Sequence, residues 1–143
     1  MDYRKGTITR VFVVRVDHGE DMLGELTGLA LKEDIKSAFF IVLGAMGSAS
    51  LVTGPKEKVV PPTTVWSSFN DVREILGAGN IFRENGAPKI HLHAAAGSSK
   101  GLTMGCIRKE AAAFMVLEIF IVEMDISAER VFDEKIGFSP FGF

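Results

Sequence analysis

The apolar run from residue 114 to residue 124 constrains the fold of this chain more than any other segment. Its residues, FMVLEIFIVEM, give a β-strand two faces that are both mainly apolar. Such a strand is typical of the middle of a sheet that is covered on both sides. A helix that spans a bilayer needs about 20 consecutive apolar residues, and no run in this chain approaches that length. The segment therefore predicts a central, buried strand.

The rest of the chain shows one helical pattern and many strand patterns. Apolar residues recur at helical spacing over 20–32, where Glu20 and Asp21 suit the positive end of a helix dipole. Residues 7–16 are nearly all apolar, which predicts a strand buried on both faces. Further strands are predicted over 39–43, 48–53, 63–66, 72–82, 90–96 and 102–108. A length of 143 residues predicts a single domain, 1–143.

Two histidines and the single cysteine form the motif with most chemical content. His91 and His93 are two residues apart in a predicted strand, so both rings project from the same face. If the following turn closes on residues 99–100, Cys106 lies opposite His93, and Arg108 lies opposite His91. Two imidazoles and a thiolate are good ligands for zinc, and three protein ligands leave one position open, as in catalytic zinc sites.

Two alternatives to a metal site stay open at this point. A His-x-His pair can line a pocket with its ring nitrogens bound to backbone carbonyls, and an isolated cysteine is more often a small buried apolar residue. A turn of another length would shift the register by one residue and move Cys106 to the opposite face. With or without a metal, we expect this hairpin to line a functional pocket.

Glu118 is an acid in the middle of the strongest strand pattern. A buried carboxylate without a partner is costly, and its pKa would rise unless a cation or hydrogen-bond donors met it. We therefore expect a satisfied core acid, paired with Arg108 or Arg73. The alternative is that Glu118 supports a metal-bound histidine or acts as a general base, which makes it the candidate catalytic residue.

Composition narrows the classes of function. The chain has 16 basic and 18 acidic residues, a net charge of −2, and no basic run of the kind that duplex DNA binding normally requires. A single cysteine excludes an internal disulfide and fits a reducing compartment. The N-terminus lacks the apolar core of a signal peptide, so we expect a cytoplasmic protein without a membrane partner. An apolar fraction of 47% favours additional buried surface in an oligomer.

The order of several short motifs resembles that of the PPC (plants and prokaryotes conserved) domain family. These motifs are RVDHGED at 15–21, Gly-Ala at 44–45, Arg-Glu-Ile at 73–75, Pro88 with His-Leu-His-Ala at 91–94, and Glu118 in a late strand. The resemblance covers residues 5–138, nearly the whole chain. It implies an α+β fold in which a mainly antiparallel β-sheet is flanked by a few helices, and it implies a homotrimer.

The resemblance also bears on the candidate site. Family members commonly carry a third histidine after a glycine pair in the returning strand, and Cys106 stands at that position here. Because thiolate and imidazole are both good zinc ligands, this replacement either keeps the metal site or marks its loss. In plants the domain is joined to AT-hook motifs that bind DNA, but the Arg-Gly-Arg-Pro core of that motif is absent from this chain. Residues 73–76 (REIL) are the nearest counterpart of a segment that contacts other proteins in the plant family.

Three hypotheses follow. The first is a cytoplasmic homotrimer that binds a divalent metal, zinc, through His91, His93 and Cys106, with Arg108 and Glu118 lining the pocket and a small anionic ligand completing it. We assign no reaction to this site. The second is a DNA-associated transcriptional regulator, which the family implies but the charge of the chain does not support. The third is an assembly scaffold that recruits protein partners.

Overall fold

The computed structural model describes residues 1–143 and is built mainly from β-strands. In chain order the elements are β1 (Ile8–Asp17), α1 (Met22–Lys32), β2 (Ser37–Pro55), β3 (Thr64–Phe69), β4 (Arg73–Glu84), β5 (Ala87–Ser98), β6 (Gly101–Met124), β7 (Glu129–Arg130) and β8 (Phe141–Gly142). The expected flank of a few helices is corrected to one helix, α1. That helix is too short to cross a membrane.

All strands belong to one sheet, in the order β3-β2-β6-β5-β4-β7-β8, with β1 paired to β6. Every pairing is antiparallel except that of β4 with β7. Because β2 pairs with β4 as well as with β6, the strands β2, β6, β5 and β4 close into a ring. The prediction of a mainly antiparallel sheet is confirmed.

Two pairs of predicted strands are continuous in the structure. Segments 39–43 and 48–53 belong to β2, which bends at Gly44, where φ is +126°. Segments 102–108 and 114–124 belong to β6, which has positive φ at Glu110 and Met115. A side chain at position 44 would meet the Val116 carbonyl oxygen at 2.4 Å, so this glycine permits the close approach of β2 and β6. The bends let each long strand pair with three partners: β2 pairs with β3, β4 and β6, and β6 pairs with β1, β2 and β5.

A single core of 23 buried residues lies on one side of the sheet. Helix α1 contributes Met22, Leu26 and Ala30 to it. The helix begins after Asp21, whose carboxylate accepts a hydrogen bond from the Gly24 backbone N–H at 2.9 Å and caps the first turn. We call this side of the sheet the core face and the other side the outer face.

Candidate metal centre

The hairpin of β5 and β6 positions the three predicted ligands. Its turn consists of Ser99 and Lys100, and the strands pair from Ser98 with Gly101 to Leu92 with Ile107. Within this register His93 lies directly opposite Cys106, so the predicted pairing is confirmed. Directly opposed residues in an antiparallel pair share a face, and both side chains therefore lie on the outer face.

The side chains of His91, His93 and Cys106 meet in space. One ligand atom from each residue lies within 4.8 Å of the others. The two Nε2 atoms are 3.2 Å apart, and the rings are nearly perpendicular. His91 is half-buried, His93 is exposed, and Cys106 is 4% exposed. The alternative in which Cys106 turns to the opposite face is thus wrong.

The cluster is held in place from the core face. Leu92, between the two histidines, is fully buried, and Ile107 beside Cys106 is nearly so. On the neighbouring strand β4, Gly77 leaves room for Leu92: a Cβ at that position would lie 2.9 Å from the leucine Cδ1. Because strand side chains alternate, a fixed Leu92 fixes the direction of both imidazoles.

Burial favours the uncharged forms of His91 and Cys106. The pKa of His91 falls to about 4, mainly through burial, with further contributions from the positive charge of Arg130 and from His93. Burial raises the pKa of the Cys106 thiol, and the positive charge of Arg108 partly opposes this effect. Near neutral pH, therefore, His91 is a neutral ring and Cys106 is a protonated thiol.

Arg130 is a neighbour of the cluster that the sequence analysis missed. It lies on the short strand β7, and its guanidinium donates to Asn80 Oδ1 at 2.8 Å, to the Ser139 carbonyl at 2.8 Å and to His91 Nδ1 at 3.1 Å. The residue is 8% exposed and forms no ion pair. Its only sequence signal is an arginine at the start of the apolar stretch Val131-Phe132.

A cavity of about 700 Å³ opens in front of the cluster and is lined by more cations than anions. Its cationic side chains are Lys89, Arg108, Lys109 and Arg130. The carboxylate of the wall, Glu84, is already paired with Lys89 at 2.7 Å. Arg108, which was predicted to line the pocket of the site, lines this cavity. The cavity suits an anion because the positive charges exceed the negative one.

Glu118 lies outside this cavity. It is exposed on the outer face of β6, opposite Arg15 of β1 and Leu43 of β2, and it is not among the residues that line the cavity. The expectation of a buried acid paired with Arg108 or Arg73 is corrected, since Arg73 pairs with Asp71 at 2.8 Å instead. The physical reason is that the apolar outer face of β6 is uncovered in the single chain.

Large apolar side chains cover this outer face. Val13 is 78% exposed and Phe120 is 45% exposed, and Ile41 lies beside Phe120 on the next strand. Along one row of the register the neighbours run in the order Val13, Phe120, Ile41, Ala78, His93, Cys106. The apolar surface and the histidine cluster are thus parts of the same side of the sheet.

Comparison with known proteins supports the resemblance noted above. The model of the Plants and Prokaryotes Conserved (PCC) domain matches residues 3–125. No curated protein matches the sequence significantly. The fold matches a metal-containing protein from Archaeoglobus fulgidus with a TM-score of 0.89 and 23% identity, covering 100% of both chains. It also matches a plant- and prokaryote-conserved protein from Pyrococcus horikoshii with a TM-score of 0.84 and 22% identity, over 97% of this chain and 96% of that one. A protein from Ralstonia eutropha named "putative DNA-binding protein" has a TM-score of 0.79 and 22% identity, over 92% and 90% of the two chains.

Proposed function

We propose, from the premise that this chain belongs to the Plants and Prokaryotes Conserved domain family, that it is a metal-binding assembly module. The observation that carries the proposal is the meeting of His91, His93 and Cys106 within 4.8 Å on one hairpin. The metal-containing protein of the same fold from Archaeoglobus fulgidus agrees with it.

The donor set fits zinc. Zinc takes imidazole nitrogen at about 2.0–2.1 Å in tetrahedral sites, which separates two nitrogen ligands by roughly 3.3 Å. The two Nε2 atoms here are 3.2 Å apart, so little rearrangement of the rings is needed. A zinc ion held by three residues would offer its fourth position, as a Lewis acid, to water or to an anion. The cationic wall of Lys89, Arg108 and Lys109 favours a small anionic ligand at that position.

Elemental analysis of protein purified without a histidine tag tests the metal site. We expect about one zinc ion per chain in the wild type, and loss of it in His91→Ala and in Cys106→Ser. His18→Ala is the matched control, because His18 lies outside the cluster and its Nδ1 accepts from the Met115 N–H. Less than about one zinc per three chains, unchanged in His91→Ala, would contradict the proposal.

The second part of the proposal is self-association as a homotrimer through the apolar outer face. Scattered exposed apolar residues are normal, whereas a contiguous row such as Val13, Phe120 and Ile41 marks an interaction surface. A copy of the same chain is the occupant that the family resemblance favours.

Analytical ultracentrifugation tests this part. We expect a trimer for the wild type and a shift to smaller species for Phe120→Lys, because the lysine would have to be desolvated in the interface. Leu31→Lys is the control, since Leu31 is an exposed leucine on α1, away from the outer face. A wild-type monomer at micromolar concentration would refute the homotrimer and leave recruitment of another protein as the use of this surface.

A DNA-associated regulator is the rival that the names of relatives suggest, since the Ralstonia eutropha protein carries that description. The net charge of −2 does not favour it. Fluorescence anisotropy with a labelled duplex decides between them: binding at low salt that weakens steeply as salt rises would support DNA contact, and no binding at low salt would retire it.

A further inference from the structure

Arg130 is a buried cation that forms no ion pair: Glu84 lies opposite it in the pairing of β4 with β7, but that carboxylate binds Lys89 at 2.7 Å. Its three hydrogen-bond acceptors are an amide oxygen, a backbone carbonyl and the imidazole nitrogen of His91, and its Nε has no partner at all. The guanidinium also stacks on the ring of Phe141, at 4.8 Å from the ring centre. Removing a cation from water without compensation is costly, so a site of this kind stabilises any anion that can reach it. Arg130 lies beyond residues 3–125, the part that the family model matches.

The contact of Arg130 with His91 decides which nitrogen of His91 carries the proton. Arginine has only donors, so His91 Nδ1 must accept and the neutral ring carries its hydrogen on Nε2. That Nε2–H points at His93 Nε2, 3.2 Å away. The nitrogen of His91 that faces the other ligands is therefore occupied by a hydrogen as long as Arg130 keeps its contact.

A metal-bound imidazole needs the opposite arrangement. When Nε2 binds a metal, a neutral ring carries its hydrogen on Nδ1 and donates it to a carbonyl, a carboxylate or water. An Nδ1–H and an arginine N–H facing each other are two donors without an acceptor. Arg130 must therefore leave His91 before His91 can bind a metal through Nε2.

We propose that Arg130 couples metal binding to anion binding at this site. In the metal-free chain it holds His91 in the tautomer that cannot bind a metal through Nε2, and on release its guanidinium becomes free to bind an oxyanion in the cavity. The proposal rests on the metal site proposed above. Arg130 acts through His91 and is a positioning residue for the metal. An oxyanion is the class of ligand that fits, because the planar guanidinium binds carboxylate, sulfate or phosphate oxygens in pairs.

The coupling predicts opposite effects of one substitution. Arg130→Met removes every donor at a similar length, so zinc affinity in the absence of an anion should rise about tenfold. In the wild type, sulfate should raise zinc affinity, and by linkage zinc should raise sulfate affinity by the same factor. In Arg130→Met the effect of sulfate should disappear.

The experiment is a zinc titration against a chromophoric chelator, with sodium sulfate or with sodium chloride at equal ionic strength. Arg83→Met is the control, because Arg83 is half-buried and also has a buried Nε without a partner. Its guanidinium contacts Asp34 and the Ala30 carbonyl, away from the histidines. Nitrogen-15 NMR of the metal-free histidines gives a second readout. We expect the His91 proton on Nε2 in the wild type and a shift toward Nδ1 in Arg130→Met.

The possible outcomes distinguish a failure of the coupling through Arg130 from a failure of the metal site itself. Zinc binding that is lost in His91→Ala but equal in wild type and Arg130→Met, with or without sulfate, overturns the coupling and leaves the metal site intact. Absence of zinc binding in the wild type overturns both. A sulfate effect that persists in Arg130→Met assigns the anion to the metal itself and also overturns the role of Arg130.

Discussion

Truncating Leu92 to alanine should destabilise the chain and loosen the histidine pair at the same time. Leu92 is fully buried in the core, while His91 and His93 on either side of it project from the outer face. Leucine-to-alanine changes in a packed core lower the free energy of unfolding by about 2.7–5 kcal/mol, because transfer energy is lost and a cavity remains. We expect about 3 kcal/mol here, together with weaker zinc binding.

Gly77 on β4, diagonal to Leu92 in the pairing of β4 with β5, lets this packing be tested as a pair. In Gly77→Ala the new methyl would lie 2.9 Å from Leu92 Cδ1, 2.9 Å from Ala94 Cβ and 3.0 Å from the His93 carbonyl oxygen. Overpacking of this kind lowers the free energy of unfolding by about 1–3 kcal/mol. One of the three close contacts is with the side chain that Leu92→Ala removes, so the two effects should not add.

In the double variant the alanine methyl at 77 enters space that Leu92 has left. The double variant should therefore be about 1 kcal/mol more stable than the sum of the single effects predicts. Urea unfolding at one fixed protein concentration measures the four free energies. The control is Gly28→Ala on α1, where a Cβ would meet nothing within 4 Å and a helical alanine should be neutral or stabilising. Additivity within about 0.4 kcal/mol would refute the packing of Leu92 against Gly77.

Three further predictions concern the pH dependence of stability and of zinc binding. Arg10 donates to the Glu123 carboxylate and lowers its pKa. The stability that this pair provides is therefore present above the pKa of Glu123 in the unfolded chain, and it is lost as the pH falls through the folded value. Acid unfolding, followed by circular dichroism, should depend less on pH in Glu123→Gln than in the wild type. Folding lowers the pKa of His91 from 6.5 to about 4, so between these pH values the unfolded chain binds one more proton at this residue than the folded chain does. The free energy of unfolding should therefore decline as the pH falls from about 6.5 to about 4, and it should decline less in His91→Ala. Burial raises the pKa of the Cys106 thiol, so zinc has to displace its proton in order to bind the sulfur. In a titration against a chelator, the affinity for zinc should therefore fall about tenfold for each pH unit between pH 8 and pH 6.

The hairpin could be predicted from the sequence because its determinants are local. A two-residue turn at Ser99-Lys100 sets the register, and alternation along each strand then assigns the faces of His93 and Cys106. The helix was predicted for the same reason, since its apolar spacing and the acidic residues at its start, Glu20 and Asp21, are contained in one segment. The structure adds that Asp21 is the N-cap.

The misplacement of Glu118 has a different cause. Apolar residues on both faces of a strand predict burial on both faces, but the pattern does not distinguish burial within one chain from burial against a second chain. Val13 of β1 shows the same effect, because β1 was expected to be buried on both faces, whereas the Val13 side chain is 78% exposed. Arg130 was missed because it is 39 residues away from His91 in the chain. It is brought to His91 by the pairing of β7 with β4, which no local sequence pattern predicts.

The outer face carries the polar chemistry because the core face has no room for it. On the hairpin the core face presents Leu92, Ala94 and Ala96, all at most 2% exposed and packed into the common core. Polar ligands on these strands must therefore project outward, beside the apolar row that includes Ile41. Adjacent strands are about 4.8 Å apart, so His93, two strands from Ile41, lies roughly 10 Å from it. A second copy docked on Ile41 would then stand at the edge of the cavity, and the same alternation that separates core from surface brings the proposed metal site and the proposed assembly surface together.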